Sequence, residues 1–90
     1  ACMGLAFKPN IDDLRESPAK YIASRIISES RADVLIVEPN VGVHSSFNLT
    51  DYKEAYEKAD IVVWLVRHTP FVELPRVEGK EELDFCGVRR

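Results

Sequence analysis

The aliphatic run Val34-Leu35-Ile36-Val37, closed by Glu38-Pro39-Asn40, constrains the fold of this chain more than any other feature. An unbroken stretch of β-branched and aliphatic residues reads as a parallel strand buried on both faces, because a strand with one wet face would alternate. The segment before it reads as a helix. Ser17 is placed to cap it, and Pro18 suits the first helical position, where a missing N–H costs nothing. Ala19, Ile22, Ala23, Ile26 and Ile27 keep the spacing of one helical face, while Lys20, Arg25 and Glu29 fall outside it. Ahead of the helix, Ala1–Phe7 is a short apolar run broken by Lys8-Pro9-Asn10, as expected of a strand entering a loop. Strand, helix and strand make a βαβ unit.

The pattern continues. Val41–Leu49 is loop-like, Thr50-Asp51 can cap a second helix whose Tyr52, Ala55, Tyr56 and Ala59 share a face, and Ile61–Val66 reads as a third strand. Beyond Arg67-His68-Thr69-Pro70 the expectations are a helical turn over Phe71–Leu74, a loop over Pro75–Glu82 and a last strand over Leu83–Val88. Right-handed crossovers place helices on the faces of a parallel sheet. The expected fold is therefore α/β, a Rossmann-like three-layer domain with a mainly parallel sheet flanked by helices. A chain of 90 residues is expected to form one domain, residues 1–90. Ligands of such sheets sit beyond the carboxyl ends of the strands, which here release the loops beginning at Lys8, Glu38 and Arg67.

Charge narrows the choice of partners. A net charge of -3 with scattered Lys and Arg does not form the basic patch by which proteins displace counterions from nucleic acid. No apolar run approaches the roughly 20 residues that cross a bilayer, and no signal peptide is visible, so a cytoplasmic protein is expected. Cys2 and Cys86 lack the spacing of a zinc site or a disulfide framework and read as reduced core thiols. Because Ala1-Cys2-Met3 begins inside an apparent strand, the chain reads as an excised piece of a longer protein.

The first loop, Phe7 to Ser17, is long and far more charged than a connector needs, and long loops in α/β units tend to be functional. After Gly4 the next glycine is Gly42, so the loop cannot wrap a pyrophosphate in the manner of a GxGxxG turn. Lys8 and Arg15 remain as cations flanking the helix start, suited to phosphates as a point charge and a planar fork. The competing reading pairs them with Asp12, Asp13 or Glu16. Asp12 and Asp13 could instead hold Mg²⁺, as in phosphoacceptor receiver domains, but such a domain wants an acceptor Asp after its third strand and a Lys near its last, and Val66-Arg67-His68 and Cys86-Gly87-Val88 provide neither. No metal site is expected. His68 follows a buried strand without a fixed carboxylate or nucleophile beside it in sequence, and Cys86 has no adjacent charge to activate it, so neither reads as catalytic. His44 is the other histidine. Core packing accounts for Trp64, Tyr52 and Tyr56, whereas Phe7 sits where the strand opens into the loop and is placed to pack on a ligand's ring or sugar.

These residues carry a resemblance. Gly4-Leu5-Ala6-Phe7-Lys8-Pro9-Asn10-Ile11-Asp12-Asp13-Leu14-Arg15-Glu16-Ser17 resembles the G-[LF]-[AS]-F-K-x-x-x-[DG]-D-x-R-x-S signature of UDP-glucose and UDP-N-acetylmannosamine dehydrogenases. Val37-Glu38-Pro39 is similar to that family's second-strand ending, Leu65-Val66-Arg67-His68 with Phe71 to the LVxHxxF segment of the mannosamine branch, and Leu83–Val88 to its closing D-x-x-G-V segment. The resemblance covers nearly the whole chain.

It implies the carboxy-terminal UDP-sugar-binding domain of an NAD-dependent enzyme that oxidises the sugar C6 alcohol to a carboxylate for surface polysaccharide synthesis. By the resemblance, Phe7 and Lys8 contact the UDP-sugar and Arg15 reaches the NAD pyrophosphate, while Asp12, Asp13 and Glu16 orient the loop. It also implies that NAD is bound mainly by an amino-terminal domain, that the catalytic cysteine and lysine lie upstream, and that this piece holds no catalytic residue and is inert alone. The implied partners are a UDP-sugar and the remainder of the same subunit, in a homo-oligomeric enzyme, with no nucleic acid or membrane. Arg67 departs from the acidic residue expected before the histidine, and Phe85-Cys86 from the usual small or basic pair, which leaves the exact sugar and the roles of Arg67 and His68 open. UDP-glucose 6-dehydrogenase and a stand-alone nucleotide-binding regulatory module are the alternatives.

Overall fold

The computed structural model describes residues 1–89. Its sheet has four parallel strands, β1 (Cys2–Met3), β2 (Ile36–Val37), β3 (Ile61–Trp64) and β4 (Glu81–Asp84), in the order β2-β1-β3-β4. Register follows Cys2 opposite Ile36 and Val63, and Met3 opposite Val37 and Trp64. Among the described residues three helices accompany the sheet: α1 (Pro18–Glu29), α2 (Tyr52–Lys58) and the single turn α3 (Thr69–Val72).

Alternation along the strands divides the core. Cys2 and Ile36 point to one side and join Leu5, Ala6, Leu14 and Ala23 beneath α1, while Met3 and Val37 point to the other and join Val62 and Trp64 beneath α2 and α3. The α/β three-layer arrangement read from the sequence is the one formed. The cap at α1 is also as expected: Ser17 accepts from the Lys20 N–H at 3.3 Å, its hydroxyl donates to the Ala6 carbonyl at 3.3 Å, and Pro18 opens the helix. The apolar stripe of α1 is narrower than its spacing predicts. Ala19 and Ala23 are buried, but Ile22 and Ile27 are exposed, because the helix meets the sheet along its small residues.

The last strand corrects the sequence reading. It covers Glu81–Asp84, and Phe85–Val88 turns away from it, so the loop before it is shorter than expected. Apolar residues at alternate positions pick out the wrong face here. Leu83 and Phe85 are exposed, and it is Glu82 that reaches into the cluster beneath α2, where its carboxylate accepts from the Tyr56 hydroxyl, the Trp64 indole and the Arg89 guanidinium, each at 2.8 Å. Asp84 caps the turn that follows by accepting the N–H groups of Cys86, Gly87, Val88 and Arg89. Both thiols are free; Cys2 is buried, whereas Cys86 is half-buried in that turn against the α2 side of the core. Its pKa is pushed up to about 11, by burial first and the nearby Asp84 carboxylate second, which makes it a poor nucleophile.

Gly4 ends β1 at φ +103, and a Cβ there would lie 2.7 Å from the Val66 side chain. Strain and overlap act together at this position. Gly4→Ala is expected to lower stability by about 2 to 4 kcal/mol in chemical denaturation, against less than about 0.5 kcal/mol for Gly42→Ala, where nothing lies within 4 Å of the added carbon.

Candidate functional site

The loops leaving β1, β2 and β3 meet at one end of the sheet, because the order β2-β1-β3 sets the chain after β1 between the other two. Glu38, the first residue after β2, is buried at 2% exposure and reaches across to the chain after β1. Its Oε1 accepts the N–H groups of Leu5 at 2.9 Å and Ala6 at 3.0 Å, and its Oε2 accepts the Asn40 N–H at 3.0 Å. His68, from the chain after β3 and with no exposed surface, places Nε2 2.9 Å from the same Oε1. Its other nitrogen, Nδ1, accepts the Asn10 N–H at 2.8 Å. These partners assign the neutral ring with its proton on Nε2. Both nitrogens are engaged, so His68 in this arrangement is not poised to take a proton from a ligand.

The loop from Phe7 to Ser17 lies over this buried pair and is pinned to it. Asn10 takes a left-handed conformation at φ +62, which Asn tolerates better than most residues, and its Oδ1 accepts the Thr69 N–H at 2.8 Å. Asn40 donates from Nδ2 to the Ile11 carbonyl at 3.0 Å, and the Phe7 N–H closes on the Asp13 carbonyl at 2.7 Å. Ile11 and Leu14 pack inward with the α1 side of the core. Ser17 is buried at the end of the loop, and the side chains of Lys8, Asp12, Arg15 and Glu16 are left facing outward.

The three residues singled out from the sequence are found on that outer surface. Phe7 is 51% exposed, and the Lys8 ammonium stands 5.7 Å from the centre of its ring. Arg15 is held by Asp13 in a two-pronged pair, Nε to Oδ1 at 3.1 Å and Nη2 to Oδ2 at 3.0 Å, with the Arg15 N–H also donating to Oδ1 at 2.9 Å. Those hydrogen bonds hold the Asp13 carboxyl down at about 2. Of the two cations, therefore, only Arg15 forms the local pair with a loop carboxylate that the competing reading expected. That pair is solvent-exposed, the kind that contributes little and opens readily. Among the described residues no cluster of His, Cys, Asp or Glu is arranged to hold a metal ion, and Asp12 is not joined to Asp13 in one. Arg67 faces away and donates to the Gly87 carbonyl at 3.2 Å, while His44 accepts the Ser46 N–H within its own loop.

In the sequence Glu38 and Asn40 read as the close of a strand, Asn10 as part of the first loop and His68 as part of a family-like segment, and none of the four carried an assigned role. The one available signal was the pair of ionisable residues placed directly after two apolar strands that flank a third.

An open parallel sheet carrying a long cation-bearing loop over its carboxyl ends defines this chain as a ligand-binding α/β domain of the Rossmann-like class. Comparison with known proteins narrows the class to a family. The UDP-glucose/GDP-mannose dehydrogenase family, UDP binding domain, matches residues 1–86, and the chain belongs to that family. It is 47% identical over its whole length to a UDP-N-acetyl-D-mannosamine dehydrogenase of Escherichia coli (strain K12), covering 23% of that protein. It is 42% identical to the enzyme of that name from Campylobacter jejuni, with 96% of this chain and 22% of the relative aligned. An NDP-N-acetyl-D-galactosaminuronic acid dehydrogenase of Ralstonia nicotianae (strain ATCC BAA-1114 / GMI1000) is 40% identical over 98% of the chain and 22% of its own length. No solved structure matches. The chain thus spans under a quarter of the length of these relatives, and no helix among the described residues is long and apolar enough to cross a membrane.

Burial pushes the Glu38 pKa up, but hydrogen bonds from His68, Leu5 and Asn40 outweigh it and hold the carboxyl below its ordinary value of 4.5. A carboxyl depressed in the folded state stabilises fully above its unfolded pKa and loses that contribution as pH falls through the folded value. Glu82 and Asp84 are depressed as well, so the thermal midpoint is expected to fall as pH drops below about 4.5. Glu38→Gln should cost about 2 kcal/mol near neutral pH, by breaking the match to four donors, and should make the acid loss shallower. Unfolding curves at several pH values for both proteins check this.

Proposed function

We propose that the chain is the UDP-sugar-binding portion of an NAD-dependent UDP-N-acetyl-D-mannosamine 6-dehydrogenase. The observation that carries this reading is the corner formed by Phe7 and Lys8, an exposed ring and a cation held on a braced loop at the carboxyl ends of the strands. An aromatic face beside an ammonium suits a ligand that joins phosphate to a sugar or a base. The names of the relatives favour an acetamido sugar over glucose.

In this reading Lys8 neutralises a phosphate of the UDP group, Phe7 packs on the sugar or base, and Arg15 leaves Asp13 to reach the NAD pyrophosphate across the cleft. Exchange of an exposed ion pair for a phosphate contact is inexpensive, since the pair contributes little to begin with. Taking the C6 alcohol to a carboxylate is a four-electron oxidation, for which NAD, bound twice in turn, would supply one hydride acceptor per step and water the second oxygen. This chain offers the dinucleotide one peripheral cation and no glycine-rich turn, so most of that site, together with the catalytic cysteine and lysine, belongs to other parts of the subunit. The chain alone is then inert. We further place the intact enzyme in the cytoplasm, as a homo-oligomer supplying surface polysaccharide synthesis, with residues 1–90 acting as one domain.

The test is Lys8→Ala in the intact enzyme. Because the Lys8 side chain makes no hydrogen bond or ion pair among the described residues, folding stability should change by less than about 0.5 kcal/mol while KM for the UDP-sugar rises about tenfold or more. A large stability loss with unchanged kinetics would sink the reading.

A further inference from the structure

The buried pair beneath the loop does more than satisfy itself. Four donors converge on Glu38: the N–H groups of Leu5, Ala6 and Asn40, and His68 Nε2. The outward nitrogen of the same imidazole accepts the N–H of Asn10, two residues beyond Lys8. Asn40, whose backbone is held by Glu38, reaches over to the Ile11 carbonyl from the other side. The chain from Asn10 to Ile11 is thus clamped from β2 and from β3, and both clamps are anchored on one carboxylate. A core pair whose task was stability alone would not need a ring nitrogen committed to a loop amide.

We propose that Glu38 and His68 are positioning residues, which act through Asn10 and Asn40 to fix the Phe7–Lys8 corner and so set its affinity for the UDP group. The proposal rests on the reading of Phe7 and Lys8 as ligand contacts given above. It assigns His68 a role that depends on its outward nitrogen and not on proton transfer. Holding a contact in its bound geometry raises affinity by removing the ordering cost that binding would otherwise meet.

Two substitutions separate the functions of the ring. In His68→Gln the longer amide can still donate to Glu38, but the acceptor for the Asn10 N–H is lost. In His68→Asn the amide oxygen falls near the position of Nδ1 and accepts from Asn10, while the side chain is too short for Glu38. Stability should therefore rank His68→Gln above His68→Asn, because the buried carboxylate dominates it. UDP affinity should rank the other way, with His68→Gln weakened about tenfold and His68→Asn closer to the parent. Thermal unfolding and calorimetric titration with UDP, made on the intact enzyme carrying each substitution, measure the two orders. Affinity that follows the stability order, or that is unchanged in His68→Gln, overturns the proposal.

Amide hydrogen exchange provides a readout that needs no ligand. Asn10 should exchange at least about tenfold faster in His68→Gln than in the parent, and unchanged protection overturns the proposal. If the parent does not bind UDP, or Lys8→Ala binds it equally well, the reading of Lys8 as a ligand contact fails, while the exchange rates still decide whether His68 positions the loop.

Discussion

The buried Glu38 carboxylate is the contact on which the ligand end of this sheet depends. An ionised group with so little exposure is costly unless every lone pair finds a donor, and Glu38 accepts from Leu5, Ala6, Asn40 and His68. The donors come from all three loops that leave β1, β2 and β3. Removing the carboxylate would leave two backbone amides after β1 unpaired in the interior and would free His68 from its tautomer. Gly4 belongs to the same construction, since the chain must pass Val66 without a side chain before it can offer Leu5 and Ala6 to Glu38.

Above this buried base lies a surface built on different terms. Phe7 and Lys8 stand in solvent, and Arg15 is engaged only by an exposed carboxylate. A braced backbone beneath exposed charged side chains suits the phosphate contacts proposed for them: the backbone fixes where the cations originate, and the exposed pair could be exchanged for a ligand at little cost. The far edge of the sheet follows the same polar logic for another end. Glu82 gathers Tyr56, Trp64 and Arg89 into a closed network that fastens β4 to α2, with the Arg89 guanidinium 5.1 Å from the Trp64 ring centre.

Much of this was legible in the sequence where local chemistry decides the outcome. The Ser17-Pro18 start of α1, the Asp51 cap of α2, the strands at Val34–Val37 and Ile61–Val66 and the parallel α/β class all follow from caps and from apolar runs. The strands are shorter than those runs: β3 ends at Trp64, two residues before its apolar run does, and β2 begins at Ile36, two residues into its own. Two things were not legible. The last strand buries Glu82 where its apolar neighbours Leu83 and Phe85 face solvent, so a rule that counts apolar residues finds the wrong limits. The pairing of Glu38 with His68 spans 30 positions and depends on strand order, which no local spacing encodes. The signature loop was recognisable, yet its support by Asn10 and Asn40 became visible only once the three strand ends were brought together.

The most direct test of the account is a titration of the chain with UDP followed residue by residue through its backbone amide NMR signals, with NAD alone as a control. The account predicts saturable shifts over Phe7–Ser17 and at Asn40 and His68–Thr69, with little change when NAD alone is added. Shifts confined to the opposite end of the sheet, around Asp33–Leu35 and Asp60–Ile61, or no saturable shift in the Phe7–Ser17 loop, would contradict it.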